Sequence, residues 1–407
     1  MTQRGLIREV SWRELFPWLV IFRSFRLSIS ASILLLATAA TLLTPIGWEV
    51  GSLFLTEEES QTVLDATPPG VRSAFSTAAT PQETVAAPRL TDLLASRLTS
   101  TVARMEGVYY GLSAPFRALF RTDLSITQFA YYLSGGLWTL LVWALFGGVI
   151  TRIAVMRLGR EENVSLKSAF QLTLKRYRSF ISAPLGLLFL IAFLALLMTP
   201  VGLLMRLDFG VVIVGILWCF VLAMGALLTL IFFGLLFGWP LMWPTISAEV
   251  QGDAFEAVQR SFSYTFERPA HYLFYAFVAA VTGGLGWLAV DLLCDSVIAA
   301  SHWSVSYGAG LTAAEDLSGR SLLGTNCLWF WESLLRNVKI AYGFAFFWCA
   351  ASAIYLTLRQ NVDATEFDEV YVEGEENRYD LPTLEPVDTT VPEMQRDESP
   401  ASDGSSD

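Results

Sequence analysis

Two histidines, His271 and His302, and four cysteines, Cys219, Cys294, Cys327 and Cys349, are all that the chain offers for imidazole or thiolate chemistry. That supply removes most metal and general-base schemes, and no HExxH pair, Walker A loop or GxSxG elbow is present. His302 with Asp295 and a nearby serine can be drawn as a triad, but a histidine in a polar loop reads first as a surface residue. His271, just after Arg268-Pro269, reads as an interfacial residue at the start of an apolar run. Cys219 and Cys349 lie inside apolar runs as packing residues. Cys294 and Cys327 fall on the extracytoplasmic side of the topology derived below, where a disulfide persists, so a bridge and two unrelated thiols are both open readings.

Carboxylates are the remaining chemistry. Asp291 and Asp295 follow an apolar run on one helical face, four residues apart. An ionisable group at membrane depth is a candidate cation or proton site. Counting from Tyr272 at 1.5 Å per residue places Asp291 about 28 Å along, near the outer headgroups, which favours wetted end-of-helix carboxylates. A second group, Glu249, Asp253, Arg260 and Ser261, sits in a short polar segment between two apolar runs.

The elements that must position these groups are membrane spans. Of 407 residues, 54% are hydrophobic and 16% charged, too apolar for an ordinary soluble chain. Several runs reach the roughly 20 residues needed to cross a hydrocarbon core of about 30 Å. The first, residues 27–48, follows Arg4, Arg8, Arg13, Arg23 and Arg26. Ala37-Thr38-Ala39 resembles a cleavage site, but the apolar stretch continues to Ile46, which makes the run a retained anchor. Residues 1–26, with a capping box at Ser11–Glu14 and Trp12, Phe16, Trp18, Phe22 and Phe25, read as an interfacial segment.

Further runs lie at residues 133–156, 184–205, 209–246, 272–290 and 338–358. The 209–246 run is too long for one span and too short for two, so it reads as one tilted helix that breaks near Trp239-Pro240 or Trp243-Pro244. The expectation is therefore an all-α bundle of about six spans. Arg157, Arg160, Lys167, Lys175, Arg176 and Arg178 between the second and third spans set the N-terminus inside, in a cell inner membrane with both ends cytoplasmic. The outer segment 49–129 divides into a linker at 60–88 and a helical pattern at Leu90, Leu94, Leu98, Val102 and Met105. That pattern lies on the outer membrane surface or packs against the outer ends of the spans.

Within the membrane domain, residues 130–360, two polar segments look alike at an offset of 88. Ser165 aligns with Asp253, Ala169 with Ala257, Gln171 with Gln259 and Thr173 with Ser261. Each reads as a capped interfacial helix, so the chain contains a repeat over about 133–205 and 209–290, with chance similarity of two amphipathic segments as the alternative.

Glu249, Asp253, Ala257 and Arg260-Ser261-Phe262, after a span ending in Trp-Pro, resemble the E-G…A-x-x-R-S-aromatic loop of bacterial polytopic membrane proteins of unknown function. The same loop occurs in the membrane domain of some glycerophosphodiester phosphodiesterases. Val250 stands where that pattern has glycine. The resemblance implies an all-helical membrane domain and supplies no activity.

The net charge of −11 is local. Residues 361–407 hold fifteen Asp or Glu against Arg378 and Arg396, so the rest carries 25 basic and 23 acidic groups. No basic patch outside the membrane flanks suggests nucleic acid. The acidic, proline-containing tail has too little apolar surface to order alone and reads as a disordered contact for a cytoplasmic partner, with Val370, Tyr371, Val372 and Tyr379 set to order on a basic groove. A purely solubilising tail is the alternative. The expected function is non-enzymatic, needs no cofactor, and acts through the bilayer and protein partners. A transporter or channel subunit is the second hypothesis.

Overall fold

The computed structural model describes residues 16–56, 59, 101, 107–309 and 322–372. The Ser11 capping box, the 60–88 linker, the helical pattern that begins at Leu90 and the chain from 373 onward, including Tyr379, lie outside the described residues. A 3-10 turn, Pro17–Leu19, leads into α1, Val20–Ser28. There follow α2, Ala31–Ser52; α3, Ile126–Gly159; α4, Leu166–Lys175; α5, Tyr177–Leu204; α6, Asp208–Ile216; α7, Trp218–Ala248; α8, Ala254–Glu267; α9, Pro269–Ala309; and α10, Leu322–Asp363. Residues 107–118 are also helical. Among the described residues there is no strand, and six helices are long and apolar enough to cross a membrane, α2, α3, α5, α7, α9 and α10. The fold is an all-α membrane bundle.

Helix starts follow sequence chemistry. Ser125 caps α3 by accepting from Gln128 N at 3.1 Å, and the Gln128 side chain returns to the Ser125 amide. Glu59 accepts from the hydroxyls of Thr127 and Ser125 at 2.7 and 2.8 Å, and these bonds hold its carboxyl down at about 2. Ser165 and Asp253 cap α4 and α8 at the two aligned positions, accepting from Ser168 N and Glu256 N. Thr173 in α4 packs on Gly148 of α3, and its aligned partner Ser261 in α8 packs on Gly238 of α7. Both short helices therefore rest a small hydroxyl side chain on a glycine of the span before them.

The core is the pair α3 and α10. Their most apolar windows are 83% and 94% buried, against 17% for α5 and 6% for α7. Trp143 stacks on Phe344 with ring centroids 4.5 Å apart, and Trp243 on Trp348 at 4.2 Å. Such close ring packing needs a gap in the α3 surface, which Gly147 provides: a Cβ there would stand 2.6 Å from Trp243 and 3.1 Å from Trp348 Nε1.

The long fourth run departs from expectation. It does not break at its prolines, because α7 runs unbroken through Pro240 and Pro244; the interruption is at Leu217, which splits off α6. Proline removes the hydrogen bond to the carbonyl four residues back. For Pro240 that carbonyl is Leu236, and Tyr109 donates its hydroxyl to it at 2.7 Å. For Pro184 it is Phe180, and the Trp243 indole N–H donates at 3.0 Å. Side chains from other helices thus replace the lost backbone donors, as apolar surroundings require.

The last two spans are longer than their apolar runs. α9 has 41 residues and α10 has 42, so much of the expected outer loop is helix. Their polar extensions pair with each other across the antiparallel contact: His302 Nε2 with Glu332 at 2.6 Å, and Lys339 with both Asp291 and Asp295. At the other end α10 continues to Asp363, and Phe367 and Val370 beyond it are buried. One compact unit accordingly extends to Tyr371.

The Trp243–Trp348 stack should be intolerant of a side chain on α3. Gly147→Val is expected to destabilise the purified protein by about 1 to 3 kcal/mol through overpacking, read as a lowered melting midpoint in detergent. Gly186→Ala, where nothing lies within 4 Å of the added Cβ, should leave the midpoint unchanged; equal behaviour of the two variants would show that the stack yields freely.

Candidate functional site

The densest polar chemistry lies where α7 ends. An α-helix leaves its last carbonyls without backbone donors and carries a partial negative charge there. In α7 each is met. Thr245 O accepts from Glu249 N, and Ala248 O accepts from Tyr371 N at 2.9 Å. Arg152 Nη1 donates to Ser247 O at 2.7 Å, and Arg176 donates to the carbonyls of Ile246, Glu249 and Val250 at 2.6 to 2.7 Å. Two arginines from the α3 and α4 ends therefore complement the helix dipole.

The chain then turns to α8 through Gly252, whose φ of +52° suits glycine. A Cβ at that position would also meet Arg176 Nη1 at 2.0 Å. Asp253 serves as N-cap, accepting from Glu256 N at 2.7 Å, and Glu256 reaches back to Gly252 N at 3.0 Å. Asp253 is thus occupied as a cap.

Glu249 is 5% exposed and engaged at both oxygens. Arg359 Nε lies 2.9 Å from Oε1, an ion contact without linear hydrogen-bond geometry, and the Tyr355 hydroxyl donates to the same oxygen. Arg260 Nη2 stands 3.2 Å from Oε2. Arg260 also pairs with Glu256 at 3.1 Å and with Asp363 at 2.8 Å. Tyr264 donates to Asp363, and burial together with that bond pushes its hydroxyl pKa up. The cluster ties the ends of α7, α8 and α10 together. Both oxygens of the Glu249 carboxylate are thus engaged, and these contacts clamp the three helix ends.

Of the residues singled out from sequence, Glu249 and Arg260 meet, Asp253 caps the adjoining helix, and Ser261 is fully buried and donates to Val258 O at 2.9 Å. Asp291 is elsewhere. It is 8% exposed and lies 3.0 Å from Lys339 Nζ, so the wetted carboxylate expected from depth is instead a buried ion pair. Asn337, two residues before Lys339, donates to Thr41 at 3.0 Å. His302 pairs with Glu332 and Asp295 with Lys339, so no triad forms. Cys294 is buried, Cys327 exposed, and both are free thiols, which rules out the bridge in this structure.

Sequence reading missed Tyr355, Arg359 and Asp363, although they recur every four residues and so share one helical face. It also missed that residues 367–371 find a basic groove within their own chain. Arg152 Nη2 donates to Tyr371 O at 2.7 Å, Arg160 Nη1 to Val370 O at 3.4 Å, and the Arg176 guanidinium lies 4.7 Å from the Tyr371 ring centroid.

No family model, curated protein or solved structure matches the chain.

Removing one member of a buried ion cluster strands the others. Glu249→Gln should therefore destabilise the protein by about 3 kcal/mol, whereas Glu249→Gln with Arg359→Gln should recover part of that loss. The check is a double-mutant cycle of melting midpoints in detergent, and strict additivity would show that the two side chains act separately.

Proposed function

We propose that this chain is a non-catalytic, multi-pass inner-membrane protein with both termini in the cytoplasm, and that its cytoplasmic end is a platform for a protein partner reached by the acidic tail. The observation that carries the reading is the anchoring of residues 367–371 against Arg152, Arg160 and Arg176. Tyr371, the last residue of the compact unit, is held at the end of α7 by Ala248, Arg152 and Arg176, so the point from which the tail begins is fixed. Leu166, Leu174 and Phe255 on α4 and α8 are exposed and apolar, which suits helices lying in the headgroup region. The resemblance of the Glu249–Phe262 segment to bacterial polytopic proteins is consistent with this placement. Orientation rests on the arginines and lysines gathered at this end, including Arg157, Lys175 and Arg178.

The second reading is a transporter or channel subunit, favoured by the buried Asp291–Lys339 pair between two spans. It requires that pair to open to solute, so ion or solute flux into proteoliposomes that disappears in Asp291→Asn would replace the platform reading.

Two truncations test the platform. A chain ending at Val372 should melt like the full chain and lose its cytoplasmic partner in crosslinking from intact membranes. A chain ending at Asp363 also lacks the buried Phe367 and Val370 and should be less stable by on the order of 2 kcal/mol. Crosslinking that survives loss of the tail would overturn the proposal.

Orientation has its own check. In a background without native cysteines, Ser168→Cys on the exposed face of α4 should resist an impermeant thiol reagent applied to intact cells and react after permeabilisation. Labelling from outside would invert the topology.

A further inference from the structure

A cavity of about 90 Å³ opens among α3, α5, α7, α10 and the helical residues 107–118. It is the size of a subsite for part of an acyl chain rather than of a pocket that encloses a whole ligand. Trp143, Trp239 and Trp348 supply an aromatic floor, and the exposed Phe232 of α7, with Leu188 of α5, carries its lining to a mouth at the surface of the bundle. Phe232 is 40% exposed, and these are the two spans whose apolar surface is least covered by protein. In a bilayer the mouth faces acyl chains, and a cavity of this composition excludes water.

One cation borders this apolar space. Arg117 lines the cavity, and its Nε is buried without a hydrogen-bond partner among the described residues. Its guanidinium lies over the Tyr110 ring at 4.5 Å, and the nearest acid in sequence, Asp123, is taken by Arg121 at 2.6 Å. A guanidinium with no acid of its own among the described residues, beside an apolar slot open to lipid, is complementary to an anionic amphiphile.

We propose that this cavity is a binding site for an anionic phospholipid, with one acyl chain on the Trp143–Trp348 floor and the phosphate at Arg117. The site is independent of the partner-platform reading, since it uses none of the residues at the α7 end. Charge at Arg117 sets the headgroup preference, while the aromatic floor holds any acyl chain of suitable length.

The test uses the full chain in detergent, titrated with dioleoylphosphatidylglycerol or dioleoylphosphatidylcholine and followed by melting midpoint and native mass spectrometry. The parent should bind the anionic lipid at lower concentration than the zwitterionic one, and inorganic phosphate should not compete. Arg117→Gln should weaken the anionic lipid about tenfold and leave the zwitterionic one unchanged, as expected for loss of a charge-assisted contact. Leu188→Trp, which fills the mouth, should abolish binding, whereas Leu197→Trp on the exposed surface of the same helix should not. Equal affinity of the parent for both lipids would reduce the site to ordinary boundary lipid and overturn the proposal, as would unaltered binding by Arg117→Gln. If Leu188→Trp does not fold, the Arg117→Gln comparison decides alone.

Discussion

A helix that ends within a protein must find donors for its last carbonyls and a cation for its dipole, and the basic end of this bundle is arranged around that requirement in α7. From Thr245 to Val250 every carbonyl is occupied by an arginine or a backbone amide. The donors come from α3, from the end of α4 and from residue 371, so a local deficit of hydrogen bonds becomes a long-range organiser of the fold. An unsatisfied buried carbonyl costs about 1 to 3 kcal/mol, and several together would outweigh the net stability of a small domain. The arginines at this end of the bundle therefore have a structural role.

The same accounting separates the two aligned polar segments. An offset of 88 aligns Glu249 with Glu161, which has a φ of +60° and pairs with Arg23 at 2.9 Å with more than half of its side chain exposed. An exposed pair of this kind contributes at most about 1 kcal/mol. The side chains of Glu249 and Arg359 are each 6% exposed, so both have lost hydration and removal of either strands the other. Arg260 is only half-buried, and its three carboxylate contacts are correspondingly screened. In the first segment the aligned position is a surface contact; in the second it joins three helices.

Much of this architecture is written locally and was therefore readable. Apolar runs long enough for a bilayer located all six candidate spans, and Ser165 and Asp253 marked the starts of α4 and α8. What was not readable depends on residues far apart in sequence. Pro240 does not break α7 because Tyr109, 127 positions away from the freed carbonyl, replaces the missing donor. The charged stretches outside the last two apolar runs look like loop until α9 and α10 are placed antiparallel, when His302 meets Glu332 and Asp291 meets Lys339. Depth along a helix estimated the position of Asp291 but carried no information about its partner. Val370 and Tyr371 were read as groups awaiting a basic groove, and the groove proved to be built from Arg152, Arg160 and Arg176 of the same chain.

These contacts distribute stability unevenly along α7. Its inner half is fixed by the Trp243–Trp348 stack, by Ser261 and Phe262 of α8 lying on Gly238 and Gly234, and by the arginines at its end. Its outer half, from Trp218 to about Phe233, presents exposed Phe220, Leu222, Leu227, Leu230 and Phe232, and α6 joins it through the break at Leu217. Lipid solvates such a surface as well as protein would, so nothing apolar is lost there, but fewer of its side chains are buried against protein. Local opening follows the density of packed contacts and satisfied hydrogen bonds. Movement in this molecule is accordingly expected to grow from the basic end toward the outer half of α7, which leaves the anchored end as the fixed reference for any part the chain plays in the membrane.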